Sequence, residues 1–97
     1  MKFNAKPVDC NGMSLSCYVD GISMSSVLKE FPEGRMIGYY DEEKGYDDDE
    51  VGFVSSTGEE FYVYARFGHV RVGSRNGFND PTAEELAKFL KEMIRSK

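Results

Sequence analysis

The stretch Glu60-Phe61-Tyr62-Val63-Tyr64-Ala65-Arg66 limits the possible folds more than any other part of this chain. Its alternation puts Phe61, Val63 and Ala65 on one face of a strand and Tyr62, Tyr64 and Arg66 on the other. The chain reverses around Phe67-Gly68 and returns with Val70 and Val72 on the apolar side and His69, Arg71 and Gly73 outward. A hairpin with one apolar face is not stable alone in water, so another layer must cover it. The C-terminal segment supplies that layer. Ala83, Leu86, Ala87, Leu90, Met93 and Ile94 recur at spacings of three and four, which is one stripe of a helix, with Glu84, Glu85, Lys88, Lys91, Glu92 and Arg95 on the polar side. The helix starts either with Asp80 as N-cap and Pro81 at the first helical position, or with Thr82 as N-cap and Glu85 closing a capping box.

The remaining segments read as further strands separated by turns. Asn11-Gly12 and Asp20-Gly21 suit two-residue hairpin turns, and between them Leu15, Cys17 and Val19 alternate with Ser14, Ser16 and Tyr18. Pro7 cannot donate to a ladder, so a first strand around Phe3 to Cys10 belongs at a sheet edge or carries a bulge. Ile22 and Met24 extend a short strand, and Ser25 or Ser26 caps a brief helix near residues 26–31 that Pro32 helps to end. Arg35 to Tyr40 and Val51 to Ser55 read as two more strands. With 97 residues there is room for one domain, 1–97. The fold expected is α+β: a curved or partly closed antiparallel sheet of about five or six strands, the C-terminal helix on one face through Leu86, Leu90, Met93 and Ile94.

Charge is distributed unevenly. Residues 41–60 hold nine acids and one base, while the other 77 residues hold eleven bases and eight acids, so the overall charge of -5 comes from one segment. An acidic chain does not bind nucleic acid through its whole surface, because that binding runs on Lys and Arg. Two cysteines and one histidine do not make a four-ligand zinc site, and no disulfide scaffold is needed at this length. If Asn11-Gly12 is a tight turn, Cys10 and Cys17 are too far apart to bridge. No apolar run approaches the ~20 residues of a membrane span and no signal-peptide pattern opens the chain, so a cytoplasmic protein with no membrane contact is expected.

The acidic segment is the first candidate site. Asp41, Glu42, Glu43, Asp47, Asp48, Asp49 and Glu50, with Tyr39, Tyr40 and Tyr46 beside them, lie between two strand candidates and read as an exposed loop or hairpin tip. A run of like charge in a loop commonly serves solubility. It also suits a surface that offers carboxylates to a basic patch in place of phosphates, with tyrosines as anchors. Calcium binding needs the EF-hand spacing, and Gly45 arrives one position too early for it.

The second candidate is the polar face of the strongest hairpin: Tyr62, Tyr64, Arg66, His69 and Arg71, with Arg75 beyond. Residues 61–79 contain three arginines, the single histidine and no acid, a mix that stacks bases and holds phosphates. The simpler reading is that another element covers the tyrosines and the arginines pair with the chain's own acids. His69 has no partner in any catalytic motif, Cys17 falls on an apolar strand face, and Cys10 neighbours only Asp9 among charged residues, so no activated nucleophile is expected. Gly73-Ser74-Arg75-Asn76-Gly77 lacks the Lys-Ser/Thr of a phosphate loop.

Size, the localised acidity and the run Phe61 to Gly73 ahead of a C-terminal helix make the chain similar to the small orphan proteins of phages and mobile elements, a class that includes anti-CRISPR and anti-restriction inhibitors. That resemblance is one of class and assigns no role to any single residue. It implies a non-enzymatic protein that blocks a nucleic-acid-binding defence complex in a host cytoplasm by imitating nucleic-acid charge; from the residues themselves no cofactor or metal is expected. The expected function is therefore an acidic binding protein whose segment 41–50 engages a basic protein or nucleoprotein surface. The alternative is a nucleic-acid or nucleotide binder using the basic-aromatic face.

Overall fold

The computed structural model describes residues 2–41 and 46–95, with backbone alone for 37–41 and 46–48. The fold is α+β, an open antiparallel sheet of six strands with a C-terminal helix and a short helix. The strands are β1 (Phe3–Ala5), β2 (Ser14–Val19), β3 (Arg35–Asp41), β4 (Tyr46–Ser55), β5 (Glu60–Arg66) and β6 (His69–Ser74). The helices are α1 (Met24–Glu30) and α2 (Pro81–Arg95), with a 3₁₀ turn at Pro32–Gly34. Strand order is β1-β4-β5-β6-β2, and β3 pairs with β4. β4 is long enough to hold β1 along its end (Phe3↔Ser55, Ala5↔Phe53) and β3 along its start (Arg35↔Val51, Asp41↔Tyr46).

Both helices lie on one face of the sheet. Phe3, Val19, Val51, Phe53, Phe61, Val63, Val70 and Val72 project from the strands against Val27, Phe31, Ala83, Leu86 and Leu90. Phe31 meets Phe53 edge-on at 5.1 Å, and Phe89 joins Phe3 to Phe31 at 5.6 and 6.1 Å. Each such fully buried side chain contributes about 1.5–3 kcal/mol relative to exposure. α2 starts as the first of the two readings requires: the Asp80 carboxylate accepts from Thr82 N at 3.0 Å, with Pro81 in the first turn. Among the described residues no helix is long and apolar enough to cross a membrane.

Three local expectations are corrected. The Asn11-Gly12 turn forms, with Met13 N on Cys10 O at 3.1 Å, but it joins no hairpin: β1 pairs with β4 and β2 with β6, at opposite ends of the sheet. Residues 6–13 instead cross the outer face. Lys6 N donates to Gly52 O at 2.9 Å, and a Cβ on Gly52 would run into Lys6 O, so only glycine admits the crossing. The Asp20-Gly21 turn leads into α1 rather than a strand, because Ser23 is its N-cap and accepts from Ser26 N at 3.2 Å, two or three residues before the expected caps Ser25 and Ser26. Leu15 does not share a face with Cys17 and Val19: a bulge at Ser16 shifts the register, so Leu15 pairs with outward Gly73 while Cys17 pairs with inward Val72. Ser16 turns inward and its hydroxyl bonds Ser74 Oγ at 2.6 Å. The acidic segment, read as an exposed loop or hairpin tip, falls at the far end of the β3–β4 hairpin and is strand rather than loop at Asp41 and from Tyr46 to Glu50. Asp41 ends β3 and Tyr46–Glu50 open β4, paired to each other.

Candidate functional site

β3 and β4 form an arm. The ladder between β4 and β5 ends at Val51↔Val63, so from Glu50 back to Tyr46 the pairing observed is with β3 alone. Ile37 pairs with Asp49 and Tyr40 with Asp47, which sets Gly38 and Tyr39 against the single residue Asp48, a bulge that adds twist. Tyr39, Tyr40, Asp41, Tyr46, Asp47, Asp48, Asp49 and Glu50 are thus fixed in strands, whereas Glu42 and Glu43 lie outside the described residues. Asp49 is tied to Arg35 by an ion pair of 3.1 Å with both side chains in contact with solvent. Glu50 accepts weakly from the Cys10 thiol, 3.8 Å away.

The outer face of β5, β6 and β2 holds the second constellation. Register places Tyr64 beside Arg71, Arg71 beside Tyr18, and Arg66 beside His69. The Arg71 guanidinium lies 4.9 Å from the Tyr18 ring centre, within cation–π range, and its Nη2 approaches Arg66 O at 3.5 Å. Tyr18 and His69 meet edge-on at 6.1 Å. Arg71 Nε is buried with no hydrogen-bond partner among the described residues. At the hairpin tip Phe67 is 72% exposed, with the Arg66 guanidinium 5.4 Å from its ring.

Two of the expected members do another job. Tyr62 and Tyr64 stack on each other, centroids 4.6 Å apart at 11°, and Tyr62 lies across Gly73. Burial pushes both phenols upward in pKa, and in Tyr62 the neighbouring Tyr64 and the Glu50 carboxylate add to it. Arg75 is also structural. Its guanidinium donates to Asn11 O at 2.7 Å and Asp9 O at 2.8 Å and pairs with Glu60 at 3.1 Å, holding the crossing segment in place. The sheet thus divides its outer face: residues 6–13 cross one end, and Tyr18, Tyr64, Arg66, His69 and Arg71 occupy the other.

Tyr18 and Phe67 belong to this surface although sequence reading placed neither in it. Tyr18 was visible on the polar side of β2, and Phe67 occupies a turn position that ordinarily takes Asn or Gly. The arginine stripe and the acid-rich stretch 41–60 do pair in part, through Arg75–Glu60, while Arg35–Asp49 is a pair within the arm and the Arg71 guanidinium rests on a ring.

The cysteines show no activation. A cleft of about 390 Å³ between β2 and α2 is lined by Cys17, Tyr18, Glu84, Lys88 and Lys91. Burial, helped by the Glu84 and Asp80 carboxylates, pushes the Cys17 thiol up to about 11, the reverse of what a nucleophile needs. Cys10 is likewise raised, by burial and then by Glu50. Both thiols are free. Among the described residues, no three His, Cys, Asp or Glu side chains are grouped to hold a metal ion. No family model, curated protein or solved structure matches this chain.

Proposed function

We propose that the protein is a non-enzymatic inhibitor of the anti-CRISPR or anti-restriction type, whose acidic arm occupies the basic surface of a nucleic-acid-binding complex. The observation that supports this reading is the placement of Asp47–Glu50 in a paired strand rather than a loop. A strand advances about 3.4 Å per residue, and one strand of duplex DNA carries one phosphate per about 3.4 Å of axis. Alternate residues of a strand share a face, so positions 47 and 49, or 48 and 50, lie about 6.8 Å apart along β4, two axial steps of backbone charge. A paired backbone also spares the ordering cost that a loose acidic loop meets on binding. Tyr39, Tyr40 and Tyr46 flank the run and supply the aromatic anchors of a hot spot.

The test is capture from a bacterial lysate with tagged protein, followed by competition. The reading expects a captured complex that is released by added duplex DNA or RNA, and no capture by a variant carrying Asp47→Asn, Asp48→Asn, Asp49→Asn and Glu50→Gln. Capture that survives the neutralised arm, or that nucleic acid fails to displace, rejects it.

A further inference from the structure

The open end of the outer sheet face carries exposed aromatic rings beside two arginines. Phe67 and Gly68 both have positive φ, 52° and 78°, which makes Phe67-Gly68 a two-residue hairpin turn. Asn or Asp at the first position would satisfy that backbone, whereas a bulky residue there is an outlier. Phe67 is nevertheless present and 72% exposed, so neither turn chemistry nor core packing accounts for it. Strain held at an exposed aromatic points toward binding.

The neighbours of Phe67 define what it would bind. Arg66 packs on its ring, His69 and Tyr18 touch edge-on, and Arg71 lies over Tyr18 with Nε lacking a partner among the described residues. Tyr18 is 46% exposed. Two accessible rings flanking two guanidinium groups, on a stretch where residues 61–79 contain no acid, match a ligand with flat faces and a negative backbone. A single strand offers both, because its bases are free to stack, whereas a duplex hides its base faces. An acidic protein segment would satisfy the arginines and leave the rings unused.

We propose that Tyr18, Phe67 and His69, with Arg66 and Arg71, form a binding platform for single-stranded nucleic acid. This goes beyond the acidic-arm reading and stands without it, since the two surfaces have opposite sign and take different ligands. Tyr62 and Tyr64 lie beneath and beside the platform as its support, not as its stacking faces.

Fluorescence anisotropy with labelled oligo(dT) and oligo(U) of about twelve nucleotides tests it, alongside a duplex of equal length and a poly-glutamate peptide. Saturable binding of one or both single strands at about 50 mM salt is expected, weakening towards about 200 mM, and the comparison of oligo(dT) with oligo(U) assigns the preferred sugar. Phe67→Asn should weaken binding about tenfold, the loss of one stacked base, and should melt no lower than the parent protein, because Asn tolerates the left-handed turn. Tyr18→Ala should weaken binding similarly, and Arg71→Gln should lower the salt slope by about 0.7. Three results overturn the proposal: no saturable binding to either strand at low salt, poly-glutamate binding as tightly as the strands, or parent-like affinity in both Phe67→Asn and Tyr18→Ala.

Discussion

The ring of Tyr62 lies against Gly73, its register partner across the β5–β6 ladder, so closely that a Cβ on residue 73 would collide with the ring. Tyr62 cannot swing away freely, because Tyr64 stacks on its ring at 4.6 Å. Gly73→Ala should therefore destabilise the fold by about 1–3 kcal/mol, the usual cost of overpacking. Urea denaturation measures it. An alanine variant as stable as the parent would mean that the tyrosine pair is loose.

Arg75 and Arg35 both make ion pairs of 3.1 Å, yet their removal should differ. Among the described residues Arg35 has the carboxylate of Asp49 as its ion-pair partner, and an exposed pair of that kind is worth about 0.2–1 kcal/mol. Arg75 also binds two carbonyls of the segment that crosses the sheet, Asn11 O and Asp9 O. Arg75→Ala should cost about 1–2 kcal/mol, below the full value for charged hydrogen bonds because the side chain is half exposed. Hydrogen exchange should accelerate across residues 6–13 in Arg75→Ala and not in Arg35→Ala.

Much of this architecture is legible in the sequence, where local chemistry and long-range pairing agree. The alternation of Phe61 to Arg66, the return through Val70 and Val72, and the stripe from Ala83 to Leu90 each name their buried face correctly. What fails is partner choice. Asn11-Gly12 encodes a turn, but a turn does not dictate which strand its flanks will join; Gly52 and Arg75, far along the chain, carry that information. The acidic run has poor strand propensity, and pairing with β3 overrides it. In the candidate surface, Arg66, His69 and Arg71 follow from alternation. Tyr18 enters only through the β2–β6 register, and Phe67 only because the turn angles expose it.

Asp80 ties the loop after β6 to α2. Its carboxylate caps Thr82 N and receives the Asn76 amide at 3.3 Å, while the residue itself is only 4% exposed. Asp80→Ala removes the cap and should cost about 0.5–2 kcal/mol, with the larger values expected because Asn76 loses a partner inside the structure. Asp80→Asn, which keeps an acceptor for Thr82 N, should recover most of the loss. Thermal denaturation of the two variants side by side checks the ranking.

Alkali should weaken the fold through Cys17. Its thiol rises from 9.0 to about 11 on folding, so the folded state holds a proton that the unfolded state releases. The stabilisation from this group is complete below pH 9 and disappears as pH climbs to about 11. The raised phenols of Tyr62 and Tyr64 act in the same direction from about pH 10 upward. Cys17→Ala should therefore show a shallower fall in stability between pH 9 and 11 than the parent, while the tyrosine contribution persists in both. Identical slopes would place the Cys17 thiol in ordinary contact with water.

The acidic arm and its tyrosine should fail in different ways when altered. Neutralising Asp47, Asp48, Asp49 and Glu50 removes the long-range attraction that steers encounter, so the captured partner should associate more slowly and bind more weakly. That deficit should shrink as salt rises, since the screening length falls to about 3 Å at 1 M. Tyr46→Ala removes an anchor instead: dissociation should quicken, the cost should be about 2 kcal/mol or more, and it should persist at high salt. Arg71→Ala, on the surface of opposite sign, should leave this interaction unchanged. Surface plasmon resonance against the captured complex at two salt concentrations separates these effects. If the neutralised arm associates at the parent rate while Arg71→Ala abolishes binding, the partner is held by the basic-aromatic face and the arm is a solubility device.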